Sequence, residues 1–345
     1  MARRDPAALV DALSRWWGAP VSELAKPSGA GLSNETWFFQ AGGDSYVLQI
    51  GPAQGSGLFR DYDLVAMARV QAELGRGSNV PVAPVVRWEE DPRWLGGPFY
   101  VMQRVTGAVP SDNPPWHASG WFAELPGESQ RHVWLSGIDA LAALHAVDAS
   151  RPDFQFLEKA PWGMPLHVDA GARRIAQWRE FLAWGAKAPL PVVSEALAAL
   201  ERTRPQSAGR LSIAWGDAKL SNCVVRDGAV VALLDWELCG ISDPEEDLAF
   251  WLLLDWSHCA ATGVTRLPAL PGARETVAHY ESRTGARTRD VAWWFRFGLV
   301  RLAIIYHRFL VRRQSLGRLA ADADLAAENP MCRLIPQVFS HGGLP

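Results

Sequence analysis

Asp217, Asn222 and Asp235 are the residues whose types and spacing could do chemistry. They lie in Ile213 to Glu237, Ile-Ala-Trp-Gly-Asp-Ala-Lys-Leu-Ser-Asn-Cys-Val-Val-Arg-Asp-Gly-Ala-Val-Val-Ala-Leu-Leu-Asp-Trp-Glu. Two short apolar runs, Cys223 to Val225 and Val230 to Leu234, flank Arg226-Asp227-Gly228. Asp-Gly between β-branched runs predicts a hairpin. Asp217 and Asn222 then sit on a loop just before the hairpin, and Asp235 at the far end of its returning strand. That topology can bring a carboxylate, an amide and a second carboxylate to one edge. Phosphoryl transfer with magnesium needs that set. One carboxylate accepts the proton of the attacking hydroxyl, while the amide and the second carboxylate hold metal against nucleotide phosphates. An ordinary hairpin with solvated acidic ends is the plain alternative.

The order Asp-x-Lys-x-x-Asn, followed by an Asp on the next strand, matches the protein-kinase catalytic loop and its metal-binding aspartate. Trp-Gly-Asp replaces His-Arg-Asp, and Asp-Trp-Glu replaces Asp-Phe-Gly. The chain resembles the aminoglycoside phosphotransferase and choline kinase-like family. It is most similar to the bacterial members that resemble the domain fused to some acyl-CoA dehydrogenases. Val-Ala-Leu-Leu-Asp-Trp-Glu and Asp-Pro-Glu-Glu-Asp-Leu-Ala carry that likeness, which runs from about Ser28 to Trp251.

The resemblance implies further roles. Ser28, Gly29, Gly31, Ser33 and Asn34 fall where the family covers the nucleotide; small residues there suit backbone close to phosphate. The strand Tyr46 to Ile50 carries a Lys or Arg against the phosphates in relatives, and here that position is Gln49. Its acidic partner would be Asp61, in a helix beginning at Leu58. Neither residue supplies a cation, so Arg60 and Lys219 are the candidates for the missing charge. Lys219 follows Asp217 by two, where protein kinases place a lysine near the transferred phosphate. Gln103 and Val105, at the end of a strand from Pro98, would face adenine. Glu237 is a further metal candidate, with a turn role as its alternative.

Around these residues the pattern predicts elements. Helical spacing marks Pro6 to Trp17, Leu64 to Leu74, Arg131 to Val147, 171–185, 193–203 and Val291 to Leu310. Val80 to Val86, with two prolines, leads into an edge strand. Residues 110–128 read as a Pro/Gly-rich linker or insertion. The helices over 171–203 cover the acceptor site in this family. Here they hold Arg173, Arg174, Trp178, Arg179 and Trp184, unlike an acidic lining for a polycationic aminoglycoside. Asp243-Pro-Glu-Glu-Asp reads as a helix start, with Asp243 capping and Asp247 pairing inside the core. His145 reads as a packed, hydrogen-bonded histidine.

At 345 residues the chain is long enough for two cores. A net charge of −3 gives no reason to expect nucleic acid or an anionic membrane as partner. Four cysteines without Cys-x-x-Cys spacing read as reduced thiols of a cytoplasmic protein. Neither a signal peptide nor a membrane span is expected. Most of the 17 tryptophans are expected in packing.

The reading is an α+β, bilobal protein-kinase-like fold. Residues 1–106 form a small lobe with an antiparallel sheet and one helix; 107–345 form a larger, mainly helical lobe. ATP (GTP being the alternative) and Mg2+ bind between them, and the γ-phosphoryl group goes to a hydroxyl of a small molecule. Asp217 is the base or orienting group, Lys219 offsets charge, and Asn222 and Asp235 hold magnesium. Two other functions fit the same motifs: a nucleotide-binding pseudokinase and an aminoglycoside resistance kinase.

Overall fold

The computed structural model describes residues 4–27, 34–52, 57–187, 189–205, 210–341 and 343–345. Contacts divide the chain into two compact units, Met1–Thr106 and Gly107–Pro345.

The first unit begins with helix α1 (Pro6–Trp17), whose start Asp5 caps by accepting from the Ala7 N–H at 3.2 Å. A five-stranded antiparallel sheet follows, in the order β1-β2-β3-β5-β4. Its strands are β1 (Ser22–Ala25), β2 (Glu35–Ala41), β3 (Asp44–Ile50), β4 (Val85–Glu89) and β5 (Phe99–Gln103). Gly42 and Gly43 both take positive φ, the geometry a two-residue β2–β3 hairpin turn requires. Trp37, Phe39 and Ala41 alternate onto the buried face of β2. As expected from its prolines, β4 is an edge strand, and it starts only after Pro84.

Helix α2 spans Leu64–Gly77. The expected start at Leu58 is therefore six residues early. Asp63 sets the start, because its carboxylate accepts from the Ala66 N–H at 2.8 Å. A short helix, α3 (Pro92–Leu95), precedes β5.

The second unit holds α4 (Gly127–His145), α5 (Ala170–Gly185), α6 (Pro191–Arg202), α7 (Glu245–Thr262), α8 (Ala273–Thr284), α9 (Val291–Ser315) and α10 (Pro330–Phe339). Two small antiparallel pairs sit among them: β6 (Ser212–Ala214) with β9 (Gly240–Ser242), and the hairpin β7 (Cys223–Arg226) with β8 (Ala229–Leu233). Helices α7 and α9 pack along one another, with Phe250 and Leu253 of α7 closest to Gly298 of α9, while Trp251 of α7 packs on Trp134 of α4. Among the described residues, no helix is long and apolar enough to cross a membrane.

One reading is narrowed in this unit and one is corrected. Of linker or insertion for residues 110–128, the packing supports an insertion. Ala108 and Val225 exchange backbone hydrogen bonds at 2.8 Å in both directions, and Trp116 and Phe122 are buried. Sequence composition left both open because Pro and Gly mark irregular backbone, not exposure. Arg174 and Trp178 belong to the core rather than to an acceptor lining. Arg174 is buried in an ion pair with Glu246, and Trp178 stacks on Trp162 with centroids 4.6 Å apart.

Candidate active site

The catalytic-loop candidate starts where β6 ends. Gly216 takes φ 85°, and a Cβ there would lie 2.2 Å from the Leu238 carbonyl oxygen. Only glycine fits that approach. The N–H groups of Trp215 and Gly216 donate to the Asp247 carboxylate at 2.7 and 2.8 Å. The Gly216 carbonyl accepts from Arg301 at 2.8 Å. All three backbone groups are thus held by buried charges from α7 and α9.

Those charges are themselves paired. Arg301 donates to Glu246 at 2.8 Å, and Glu246 also accepts from Arg174 at 2.8 Å. His145 Nε2 lies 3.2 Å from Asp247, and His145 Nδ1 lies 2.7 Å from the Tyr280 hydroxyl. Burial pushes the Asp247 carboxyl up, but the His145 contact and the two backbone N–H groups outweigh it and hold it below the usual carboxylate range. Breaking one partner of such a buried set costs about 3–5 kcal/mol, so its role is to fix the loop.

Three side chains converge beyond Gly216. The Asn222 Nδ2 donates to Asp217 Oδ2 at 2.8 Å and to the Asp217 carbonyl at 3.1 Å. The Lys219 ammonium lies 3.3 Å from the same carboxylate oxygen. The Asn222 N–H donates to the Lys219 carbonyl at 3.0 Å, closing a tight turn over Leu220–Asn222.

Asp235 follows β8 by two residues rather than ending the strand, and its φ of 58° lies in the left-handed region. Hydrogen bonds fix the approach to it. Trp215 Nε1 donates to the Leu234 carbonyl at 2.8 Å, and the Leu234 N–H donates to the Asn222 carbonyl at 2.8 Å. Trp236 Nε1 donates to the Leu233 carbonyl at 3.0 Å. Burial and the repulsion of Asp217 push the Asp235 carboxyl up to about 6, with Lys219 pulling the other way. The Glu237 backbone N–H donates to it. Burial disfavours the Lys219 charge, but Asp217, Asp112 and Asp235 together raise its ammonium well above the ordinary lysine value.

Asp112 is the functional candidate that sequence reasoning missed. Its Oδ2 lies 3.0 Å from the Lys219 ammonium. No spacing rule links a Pro-flanked loop aspartate to a lysine so distant in sequence, so no local signal could have found it.

The first unit's candidates are placed separately. Gln49 on β3 pairs with Thr36 and Tyr100 across the sheet, and its buried Oε1 has no hydrogen-bond partner among the described residues. Asp61 is exposed and lies 2.6 Å from Arg60 Nε. Asp61 precedes α2 instead of sitting in it, and among the described residues no hydrogen bond joins it to Gln49. Asn34 accepts from the Tyr62 hydroxyl. The Gln103 N–H donates to the Pro84 carbonyl at 2.8 Å, which engages the backbone donor expected to face adenine; Val105 is half-buried. Ser28, Gly29, Gly31 and Ser33 lie outside the described residues.

The sequence model of the phosphotransferase enzyme family matches residues 25–291. The chain belongs to that family. Human acyl-CoA dehydrogenase family member 11 is 28% identical over 304 residues, which are 83% of this chain and 36% of that protein. The Arabidopsis thaliana probable acyl-CoA dehydrogenase IBR3 is 27% identical over 327 residues, 87% of this chain and 38% of that protein. The chain thus spans little more than a third of these relatives.

Among solved structures, a Ralstonia eutropha protein provisionally named an aminoglycoside phosphotransferase superposes with TM-score 0.68 at 24% identity, covering 97% of this chain and 96% of its own. A thermostable mutant of aminoglycoside phosphotransferase APH(4)-Ia, in ternary complex with ADP and hygromycin B, gives 0.63 at 17% identity, covering 97% and 99%. The macrolide 2′-phosphotransferase MphH of Brachybacterium faecium gives 0.59 at 20%, covering 94% and 98%. The α+β fold is kinase-like, as the motif order predicts.

Proposed function

We propose that this phosphotransferase uses ATP and magnesium to phosphorylate a hydroxyl of a small molecule. The observation that carries the reading is the convergence of Asn222 and Lys219 on one carboxylate oxygen of Asp217. Asp217 would take the proton of the acceptor hydroxyl. The hydroxyl oxygen would bond to the γ-phosphorus as the bond to the β–γ bridging oxygen breaks and ADP leaves. Lys219 would stabilise charge on the transferred group. Ser28, Gly29, Gly31, Ser33, Asn34, Gln49, Asp61, Gln103 and Val105 remain the nucleotide contacts that the family resemblance suggests.

The metal fits the residues present. With Nδ2 committed to Asp217, Asn222 keeps Oδ1 as its remaining amide acceptor. Asp235 is a carboxylate whose charge is disfavoured by burial and by Asp217, a state that a cation relieves. Two hard oxygen donors beside nucleotide phosphates suit magnesium. When bound, magnesium would neutralise charge on the β- and γ-phosphates.

The acceptor is read as a metabolite rather than an aminoglycoside. The relatives named acyl-CoA dehydrogenase family members support testing hydroxylated acyl-CoA thioesters first. The test is ATP turnover with magnesium over a panel of these thioesters, sugars, amino alcohols and hygromycin B. Turnover on a thioester or another metabolite is the expected result. Preference for hygromycin B would favour the resistance-kinase reading instead. Gln49 Oε1, which has no hydrogen-bond partner among the described residues, and the exposed Asp61 favour one second reading, a nucleotide-binding pseudokinase. Nucleotide binding without turnover on any acceptor would select it.

A further inference from the structure

Lys219 has two carboxylate partners, and only one of them belongs to the catalytic loop. Its ammonium lies 3.3 Å from Asp217 Oδ2 and 3.0 Å from Asp112 Oδ2. Asp112 sits in the segment that joins the hairpin through Ala108 and Val225, and Trp116 anchors that segment in the core. On its other side, Asp112 Oδ1 lies 3.7 Å from His258 Nε2 of α7, and the His258 ring packs edge-on against Trp116 with centroids 4.4 Å apart. Asp112 thus faces His258 with one carboxylate oxygen and the lysine with the other. A second carboxylate matters because a lysine side chain has large rotamer freedom and is poorly fixed by a single exposed partner.

We infer that Asp112 is a positioning residue that holds the Lys219 ammonium beside Asp217 in the geometry phosphoryl transfer requires. The inference rests on the proposed function for its catalytic consequence but not for the contact itself. An ammonium has three N–H donors. Asp217 and Asp112 both lie within ion-pair reach of it, and with one donor turned to each, a third is left for an incoming phosphoryl oxygen. Without Asp112 the ammonium would either swing into solvent or close fully on Asp217. The first loses charge stabilisation; the second neutralises the base.

Two measurements test this with the full chain. The first needs no nucleotide. The sequence has four lysines, Lys26, Lys159, Lys187 and Lys219, so reductive methylation followed by mass spectrometry reads each one. Lys219, 17% exposed, should label slower than Lys26, 45% exposed, in wild type. Asp112→Ala should speed labelling of Lys219 several-fold and leave the other three unchanged. Unchanged labelling of Lys219 would overturn the inference.

The second is a double-mutant cycle on magnesium–ATP turnover with water as acceptor. Asp112→Ala should lower the turnover rate by roughly 10- to 100-fold with little change in KM for ATP. In the Lys219→Met background it should cost less than about twofold, because its target is gone. An equal loss in both backgrounds would make Asp112 merely structural and overturn the inference. Asp112→Glu should recover part of the rate. A wild type that neither binds nor turns over ATP, yet shows the labelling shift, would sink the proposed function while leaving the positioning contact standing.

Discussion

Asp235 occupies a backbone conformation, φ 58°, that asparagine and aspartate tolerate better than other residues with a Cβ. Asp235→Asn therefore keeps the turn and removes one charged oxygen from the proposed magnesium site. Transfer is expected to fall below detection while the circular dichroism spectrum and melting cooperativity stay those of wild type. Normal magnesium-dependent turnover in this variant would take Asp235 out of the metal site. Asp235→Ala would confuse the result, since it adds left-handed strain to the loss of charge. The same separation of roles applies at Asp217, where two neighbours share one oxygen. Asn222 Nδ2 holds that carboxylate at 2.8 Å, so the residue proposed for metal also orients the proposed base.

The elements around these residues explain which parts were legible in the sequence. The hairpin could be read directly, because Asp227 and Gly228 both take positive φ and join β7 to β8, as Asp-Gly between β-branched runs demands. The start of α7 was nearly legible: the helix begins at Glu245, and Asp243 accepts from the Glu245 N–H at 2.9 Å. What could not be read is tertiary. Arg174 looks like a surface cation until Glu246 and the Trp162 and Ile241 carbonyls surround it. Leu58 looks like a helix start until Asp63 supplies a better cap. Capping also carries a cost here. Burial, and then the nearby Glu245, Asp290 and Glu246, push Asp243 up to about 7 despite the Glu245 N–H bond. A raised carboxyl means the folded state binds the proton more tightly than the unfolded chain, whose aspartate titrates near 3.9. Stability is then lost as pH rises from about 4 to about 7, and flattens above. Asp243→Asn keeps the cap acceptor without the charge. Its melting temperature should match wild type near pH 4 and exceed it at pH 8, by about 1–2 kcal/mol of stability after discounting for solvent relaxation. A gap that does not change with pH would show that Asp243 is not raised in the folded protein.

At the scale of the whole molecule, the question is whether the chain binds nucleotide through magnesium, whatever the acceptor. Gln49 stands where the family resemblance expects a cation, so the phosphates must be neutralised elsewhere for binding to occur. Within Gly107–Pro345 the candidates are Lys219 and a metal on Asn222 and Asp235, and Lys219 already faces Asp217 and Asp112. Under the proposed function, most of the neutralisation would then fall to the metal. A ligand that binds only the folded state stabilises it by mass action, about 2.7 kcal/mol at a hundred times Kd. Thermal melting with the non-hydrolysable analogue AMP-PNP should accordingly show a clear rise with magnesium and almost none when EDTA replaces it. Asp235→Asn should abolish the magnesium-dependent part, and Gln49→Lys should restore a rise without magnesium by supplying the absent charge. An equal rise with and without magnesium in wild type would place the neutralising charge on the protein, and would turn attention to Arg60 in the first unit, whose guanidinium now pairs with Asp61 at the surface.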